Sequence, residues 1–211
     1  MLKWRVPREW DGETVAILAS GPSMTRDQAD YVRGKCRVIA VNNQGIDTHV
    51  DGVLQPALAP WADALYAADY KWWNCYKDRA LKFEKYKISI RSGPFKEVHY
   101  LQQSAVRVFD PRPDYLVTGG NSGYQALHLA VHFGAKRVIL LGYDMRMQGT
   151  RKHWFGDHPG NLNARGNYPM WIRCFQMFAN ELRKNLGVGV VNCTPGTALD
   201  CFPKAELKDT I

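Results

Sequence analysis

Two histidines stand five positions apart in His153-Trp154-Phe155-Gly156-Asp157-His158-Pro159, with an aspartate beside the second. Imidazole titrates near neutrality, which makes it the usual side chain for moving a proton during catalysis. His158, His153 and Asp157 are therefore the candidate catalytic residues. The same residue types could ligate a metal, but no third clustered ligand follows, so acid–base chemistry is favoured and no metal site is expected. Exposed loop histidines without a chemical role would look the same in a single sequence. The remaining histidines carry less. His128 and His132 have i, i+4 spacing in a helical segment but lack the intervening Glu of a zinc-binding helix, and belong on its packed or solvated flank. His49 and His99 have no supporting context.

A second class of residues is suited to holding a ligand rather than reacting with it. The apolar run Val15 to Leu18 ends in Ser20-Gly21-Pro22-Ser23. Gly21 permits close backbone approach, Pro22 fixes the exit, and Ser23 is placed to cap the next helix while offering its hydroxyl and amide to an anion. Neither the dinucleotide fingerprint nor the Gly-Lys-Ser/Thr of a P-loop is present, and an ordinary strand-to-helix turn would use the same residues. Thr118-Gly119-Gly120-Asn121-Ser122-Gly123 is a second such turn, opening a helix whose first amides and dipole favour an anion. Two sites at one sheet edge imply a ligand with two anionic parts. The other strand ends, Asn42-Asn43-Gln44, Gln55-Pro56, Tyr143-Asp144 and Thr194-Pro195-Gly196, add small hydrogen-bonding groups that suit a nucleotide. The candidate binding residues are Ser20, Gly21, Pro22, Ser23, Asn42, Asn43, Gly120, Asn121, Ser122, Gly123, Asp144 and Thr194.

These groups need a scaffold that brings strand ends together, and the chain alternates strand and helix signals throughout. Strands are expected at Val15–Leu18, Arg37–Val41, Gly52–Leu54, Ile88–Ile90, Ala105–Phe109, Arg137–Leu141 and Gly189–Asn192. Helices are expected at Thr25–Arg33, Ser122–Phe133 and about Tyr168–Asn185. Pro60–Lys85, rich in Trp and Tyr, reads as a long helix packed on the core, and residues 57–87 as an aromatic insert or lid; a stacking platform for a base is the sharper alternative. This pattern predicts an α/β fold, a single Rossmann-like, doubly wound, mostly parallel sheet over residues 1–211 with helices on both faces. In such sheets ligands bind beyond the carboxyl ends of the strands.

Bulk properties narrow the class. With 45% hydrophobic and 23% charged residues, the 211-residue chain has a globular composition and enough length for one well-buried core. No apolar run approaches the roughly 20 residues of a membrane span. Met1-Leu2-Lys3-Trp4-Arg5 lacks the apolar middle of a signal peptide, and Cys36, Cys75, Cys174, Cys193 and Cys201 are odd in number without C-x-x-C spacing. A cytoplasmic protein with reduced thiols is expected. None of those cysteines is paired locally with His and Asn, so no thiol nucleophile is expected. The net charge of +8 favours anionic partners, nucleotides first and nucleic acid as an alternative, though no block of like charges occurs.

The Gly-Pro-Ser turn, the Asn42-Asn43 strand end and the block Thr118 to Asp144 together resemble the bacterial sialyltransferases of glycosyltransferase family 42. They resemble equally a Rossmann-like group that includes 6-hydroxymethylpterin diphosphokinase-like enzymes, and small phage-encoded proteins of unassigned function. Val191 to Leu199 is similar to the closing strand and turn of the sialyltransferases. The first resemblance implies a transferase using a nucleotide-sugar donor of the CMP type, with no tightly bound cofactor. On that model Ser20–Ser23 meet the phosphate, Asn42 or Asn43 the ribose or sugar, and Asn121-Ser122-Gly123 a second anionic group. It also implies a loop histidine as base on an acceptor hydroxyl, His158 first and His153 second, and tyrosines assisting the leaving phosphate, for which Tyr143 and Tyr168 are available. The second resemblance implies ATP with Mg²⁺ and acidic ligands such as Asp144 and Asp157. A nucleotide-sequestering or sensing protein without catalysis, and a nucleic-acid-modifying enzyme, are further alternatives.

Overall fold

A computed structural model describes residues 4–162 and 166–211; residues 1–3 of the N-terminal stretch and 163–165 of the histidine loop lie outside the described residues. The first strand, β1 (Thr14–Leu18), is buried along its whole apolar run, and it pairs in parallel with β2 (Arg37–Val41) on one side and with β9 (Arg137–Leu141) on the other. Continuous apolar runs such as Arg37-Val38-Ile39-Ala40-Val41 are what a strand covered on both faces requires. The remaining strands of the sheet are β5 (Ala64–Tyr66), β6 (Tyr86–Ile90), β7 (His99–Gln103), β8 (Tyr115–Leu116) and β10 (Gly189–Asn192). Their order is β10-β9-β1-β2-β5-β6-β7-β8, and every neighbouring pair is parallel.

Alternate residues of these strands feed two cores. Val15, Ile17, Ile39 and Val41 pack with α3 (Ser122–Phe133) and α4 (Tyr168–Glu181) through Tyr124, Phe175 and Phe178. Ala16, Leu18, Val38 and Ala40 pack on the opposite face with α1 (Arg26–Val32) and α2 (Tyr70–Ala80), through Ala29, Val32, Trp72 and Trp73. The fold is thus a doubly wound, Rossmann-like α/β sheet. No helix among the described residues is long and apolar enough to cross a membrane.

Several local expectations are corrected. The segment Pro60–Lys85 is not one helix: Ala64-Leu65-Tyr66 forms β5 in mid-sheet, wholly buried, with the Asp63 carboxylate accepting from the Val38 amide at 2.8 Å. Its alanines favour helix by propensity, but burial between β2 and β6 overrides a weak local preference. Residues 57–87 thus supply β5 to the middle of the sheet and α2 to one of its faces. Gly52-Val53-Leu54, by contrast, does not join the main sheet. It belongs to an antiparallel hairpin of β3 (Thr48–Val50) and β4 (Val53–Gln55), turned by Asp51-Gly52 with φ of 50° and 81°. Asp-Gly is the dipeptide a two-residue hairpin of this type selects.

Ala105–Phe109 is a loop. The buried Asp110 carboxylate replaces ladder bonds there, accepting from Ser104 Oγ at 2.6 Å and from both Nε and Nη2 of Arg112. Thr25 rather than Ser23 caps α1, in a reciprocal capping box with Gln28.

His128 and His132 lie in the core beneath α3, on its packed side. His128 Nδ1 accepts from the Val117 amide and Nε2 faces the Asp110 carbonyl, each at 3.1 Å, so the ring is neutral with its proton on Nε2. Burial, then the neighbouring His132, pushes its pKa down to about 3, and burial lowers that of His132 as well. An unfolded chain takes up these protons near pH 6.5 while the fold refuses them, so their contribution to stability is complete above that pH and is lost as pH falls toward 3. The urea midpoint should decline steadily as pH is lowered from 7 through 5; a constant midpoint over that range would contradict the neutral buried pair.

Candidate active site

The chain runs outward from β1 to one side of the sheet, through β2, and returns through α3 to β9 on the other side of β1. The carboxyl ends of β1 and β9 therefore flank a topological switch point, where open α/β sheets form their ligand crevice. A cleft of about 300 Å³ lies there.

Its floor is a crossing of two loops. Ala19 N donates to the Leu141 carbonyl at 2.8 Å and Gly21 N to the Gly142 carbonyl at 3.0 Å, so the exits of β1 and β9 stay hydrogen-bonded beyond the sheet. A Cβ at Gly21 would overlap both the Gly142 carbonyl and the Asp144 carboxylate, and one at Gly142 would overlap the Ala19 carbonyl. The crossing is thus open only to glycine at both points. Asp144 then lies against Ser23, accepting from its amide at 3.1 Å and its hydroxyl at 3.0 Å. The donors that the sequence offered to a ligand anion are occupied by the protein's own carboxylate. Burial raises the Asp144 pKa, with the Ser23 bonds opposing. Ser20 Oγ donates to the Val41 carbonyl and Gln44 Nε2 to the Ala19 carbonyl, tying the ends of β1 and β2. Ser20, Gly21 and Pro22 line the cleft.

The N-terminus of α3 forms the second wall. Gly120, Asn121, Ser122 and Gly123 all line it. Asn121 caps the helix, its Oδ1 accepting from the Tyr124 amide at 3.1 Å, while the first-turn amides of Ser122 and Gly123 have no intrahelical carbonyl to bond. Gly123 lets the Tyr143 ring pack close, and the Tyr143 hydroxyl donates to the Gly123 carbonyl at 2.9 Å. That hydroxyl is fully buried and engaged. Of the two tyrosines named from the sequence, Tyr168 is the one that is half-exposed at the cleft, with its pKa raised by burial and then by the Asp144 charge.

The third wall is the histidine loop. Trp154 N donates to the Ser20 carbonyl at 3.2 Å and the His153 ring bonds the Ser20 backbone, which brings the loop over the end of β1. His153 and His158 both line the cleft, with ring centroids 5.0 Å apart. Burial lowers the pKa of both; for His158 burial and the neighbouring His153 push it down to about 4 against the pull of Asp157. Both rings are neutral at neutral pH, a state that accepts protons. His158 Nδ1 lies 3.2 Å from the Tyr76 hydroxyl.

Besides Ser23, three residues marked by the sequence do not line the cleft. Asp157 is exposed and faces Lys152 Nζ at 3.8 Å. Asn43 is wholly buried, with Oδ1 accepting from Trp72 Nε1 and Nδ2 donating to Thr48 Oγ1, each at 2.7 Å. Thr194 is also buried, its hydroxyl accepting from the Tyr143 amide at 2.9 Å. Asn42 does line the cleft, held at φ 55° in the left-handed region that asparagine tolerates best among side-chain-bearing residues. Sequence reasoning missed Arg146, Lys152, Trp171 and Asp69, all of which line the cleft. The two cations were visible only as scattered charge. Gly196 leaves the space that the Arg146 guanidinium occupies. Among the described residues no group of three or more His, Cys, Asp or Glu side chains could hold a metal ion.

The architecture defines a Rossmann-like α/β protein with a cleft at the β1/β9 switch point. Among solved structures its fold is similar to that of the sialyltransferase CstII from Campylobacter jejuni in complex with a substrate analogue, cytidine-5'-monophosphate. The TM-score is 0.53 at 15% identity, over 92% of this chain and 85% of that one. No protein-family model matches the chain, and no curated protein matches it. At that identity the likeness shows the fold.

The crossing at Gly21 generates a prediction. Gly21→Ala forces a methyl group into backbone and a hydrogen-bonded carboxylate, a cost of about 1–3 kcal/mol. The denaturant midpoint should drop accordingly, and an unchanged midpoint would show that the two loops are free to separate.

Proposed function

We propose that this protein transfers a glycosyl group from a nucleotide-activated donor of the CMP type to an acceptor hydroxyl. The observation that carries the reading is the convergence, in one cleft, of a helix N-terminus with open first-turn amides and a pair of neutral imidazoles. The fold shared with a sialyltransferase solved with cytidine-5'-monophosphate supports the donor class. The phosphate of the donor meets the α3 amides at Ser122 and Gly123, with Arg146 and Lys152 adding positive charge at the cleft. Asn42 meets the ribose or the sugar. His158 takes the acceptor proton on its free ring nitrogen as the acceptor oxygen bonds the anomeric carbon. The bond from that carbon to the donor phosphate breaks, and the nucleotide leaves with the electron pair. Tyr168, the half-exposed cleft hydroxyl, hydrogen-bonds the departing phosphate. His153, stacked on Phe155 and bonded to Ser20, holds the loop and is the second candidate for the base.

The ATP-and-Mg²⁺ alternative would draw on Asp144 and Asp157. One of these is bonded to Ser23, and the other faces Lys152 outside the cleft.

A thermal-shift screen with CMP-, UDP- and GDP-sugars, and with ATP with and without Mg²⁺, should show stabilisation by the cytidine compounds, because a ligand that binds only the folded state raises the melting temperature. Stabilisation by ATP alone would overturn the donor assignment. His158→Ala should cut nucleotide release from a CMP-sugar about 100-fold or more while the CMP-induced thermal shift persists. Since His158 protonates only near pH 4, kcat/KM should stay level from pH 8 down to about 5 and fall below that. A fall centred near 6.5 would assign the base to a histidine in an ordinary aqueous setting.

A further inference from the structure

His158 is bonded through Nδ1 to a residue 82 positions earlier in the chain, the hydroxyl of Tyr76 on α2, at 3.2 Å. Tyr76 is buried at 5% exposure, and its ring packs on Trp72 at 5.3 Å between centroids, so the hydroxyl is held by the core rather than by the loop it touches. Trp72 is itself anchored by its indole N–H on Asn43 Oδ1, and the Asn43 amide lies beside the Tyr76 hydroxyl. A rigid aromatic helix therefore meets the histidine loop at a polar contact.

A base that takes a proton on Nε2 must carry its own hydrogen on Nδ1 beforehand, because a neutral imidazole has one N–H. We propose that Tyr76 is a positioning residue for His158: its phenolic oxygen accepts from Nδ1–H and holds the ring in the tautomer whose Nε2 bears the lone pair. The inference rests on the reading of His158 as base and deepens it. It assigns a role to the aromatic segment that packing alone does not explain, since the Tyr76 ring would fill the same space as phenylalanine. When the imidazolium forms, Nδ1–H keeps the same acceptor, so the ring does not turn during the proton transfer. The other groups facing His158 are His153, Asp157 and the Phe155 ring of its own loop, while Arg79 lies over the Tyr76 ring at 5.4 Å. Among these, the group at hydrogen-bonding distance of Nδ1 is the Tyr76 hydroxyl.

The test combines the tautomer with turnover. In protein labelled with ¹⁵N-histidine, two-bond ¹H–¹⁵N spectra at pH 7 should show His158 as the Nδ1–H form. In Tyr76→Phe the signal should move toward the Nε2–H form. Nucleotide release from a CMP-sugar should fall about tenfold or more in kcat with little change in KM, the scale seen when a partner orienting a functional histidine is removed. CMP should still raise the melting temperature of the variant as it does for the wild type. An Nε2–H signal in the wild type overturns the proposal whether or not the variant folds, and so does a Tyr76→Phe enzyme with unchanged tautomer and kcat. His158→Ala separates the two ideas: if it retains turnover, the base reading itself fails. If it abolishes turnover while Tyr76→Phe changes nothing, only the role of Tyr76 fails.

Discussion

The crossing of the β1 and β9 exits is the constraint on which the cleft depends. Two strands that run parallel at hydrogen-bonding distance must part at their carboxyl ends to leave a crevice, yet here the loops remain bonded through Ala19 to Leu141 and Gly21 to Gly142. Glycine at both contact points removes the side chains that would force them apart. The Asp144 carboxylate then locks the turn by taking both Ser23 donors. Each wall of the cleft is referred to this floor: α3 through the Tyr143–Gly123 bond, the histidine loop through Trp154 and Ser20, and the end of β2 through Ser20 and Gln44.

That lock changes how a ligand is met. An isolated strand–Gly-Pro-Ser–helix segment invites an anion at its turn, but α1 has only seven residues and its adjacent donors are satisfied internally. The longer α3, capped by Asn121, keeps its first amides toward the cleft, and the two basic residues Arg146 and Lys152 lie at the same cavity. The positive potential of the cleft therefore lies on the β9/α3 side, close to the imidazoles, rather than toward α1.

The sheet was largely legible because parallel, doubly covered strands carry unmistakable apolar runs: Val15–Leu18, Arg37–Val41 and Arg137–Leu141 all lie where their composition requires. What escaped was short or set by tertiary context. β5 is only three residues long, inside a segment whose composition reads as helix, so its neighbours make it a strand. Asp51-Gly52 turns a short antiparallel hairpin outside the main sheet, where a strand reading of Gly52–Leu54 alone does not say what it pairs with. At the site, residue type located the strand ends but not the direction each side chain takes. Asn42 and Asn43 are adjacent and chemically identical, yet one lines the cleft in a left-handed conformation and the other bonds Trp72 and Thr48 in the core. A Ser that binds a ligand and a Ser that binds an aspartate 121 residues away look the same in one dimension.

The position of β1 has a further consequence for how the molecule comes into being. It is the third strand from the β10 edge, bonded on one side to β2, which follows within twenty residues or so, and on the other to β9, where Leu18 meets Leu141. During synthesis the first of these pairings can form early, whereas the second waits until two-thirds of the chain has emerged. Pairings so distant along the chain are slow to form because a long loop must close before any contact rewards it. The crevice at β1 and β9 is thus assembled late, and until then β1 carries an open edge and one uncovered face of Val15 and Ile17. The residues that flank the cleft are therefore ones whose delayed meeting leaves apolar surface open in a nascent chain.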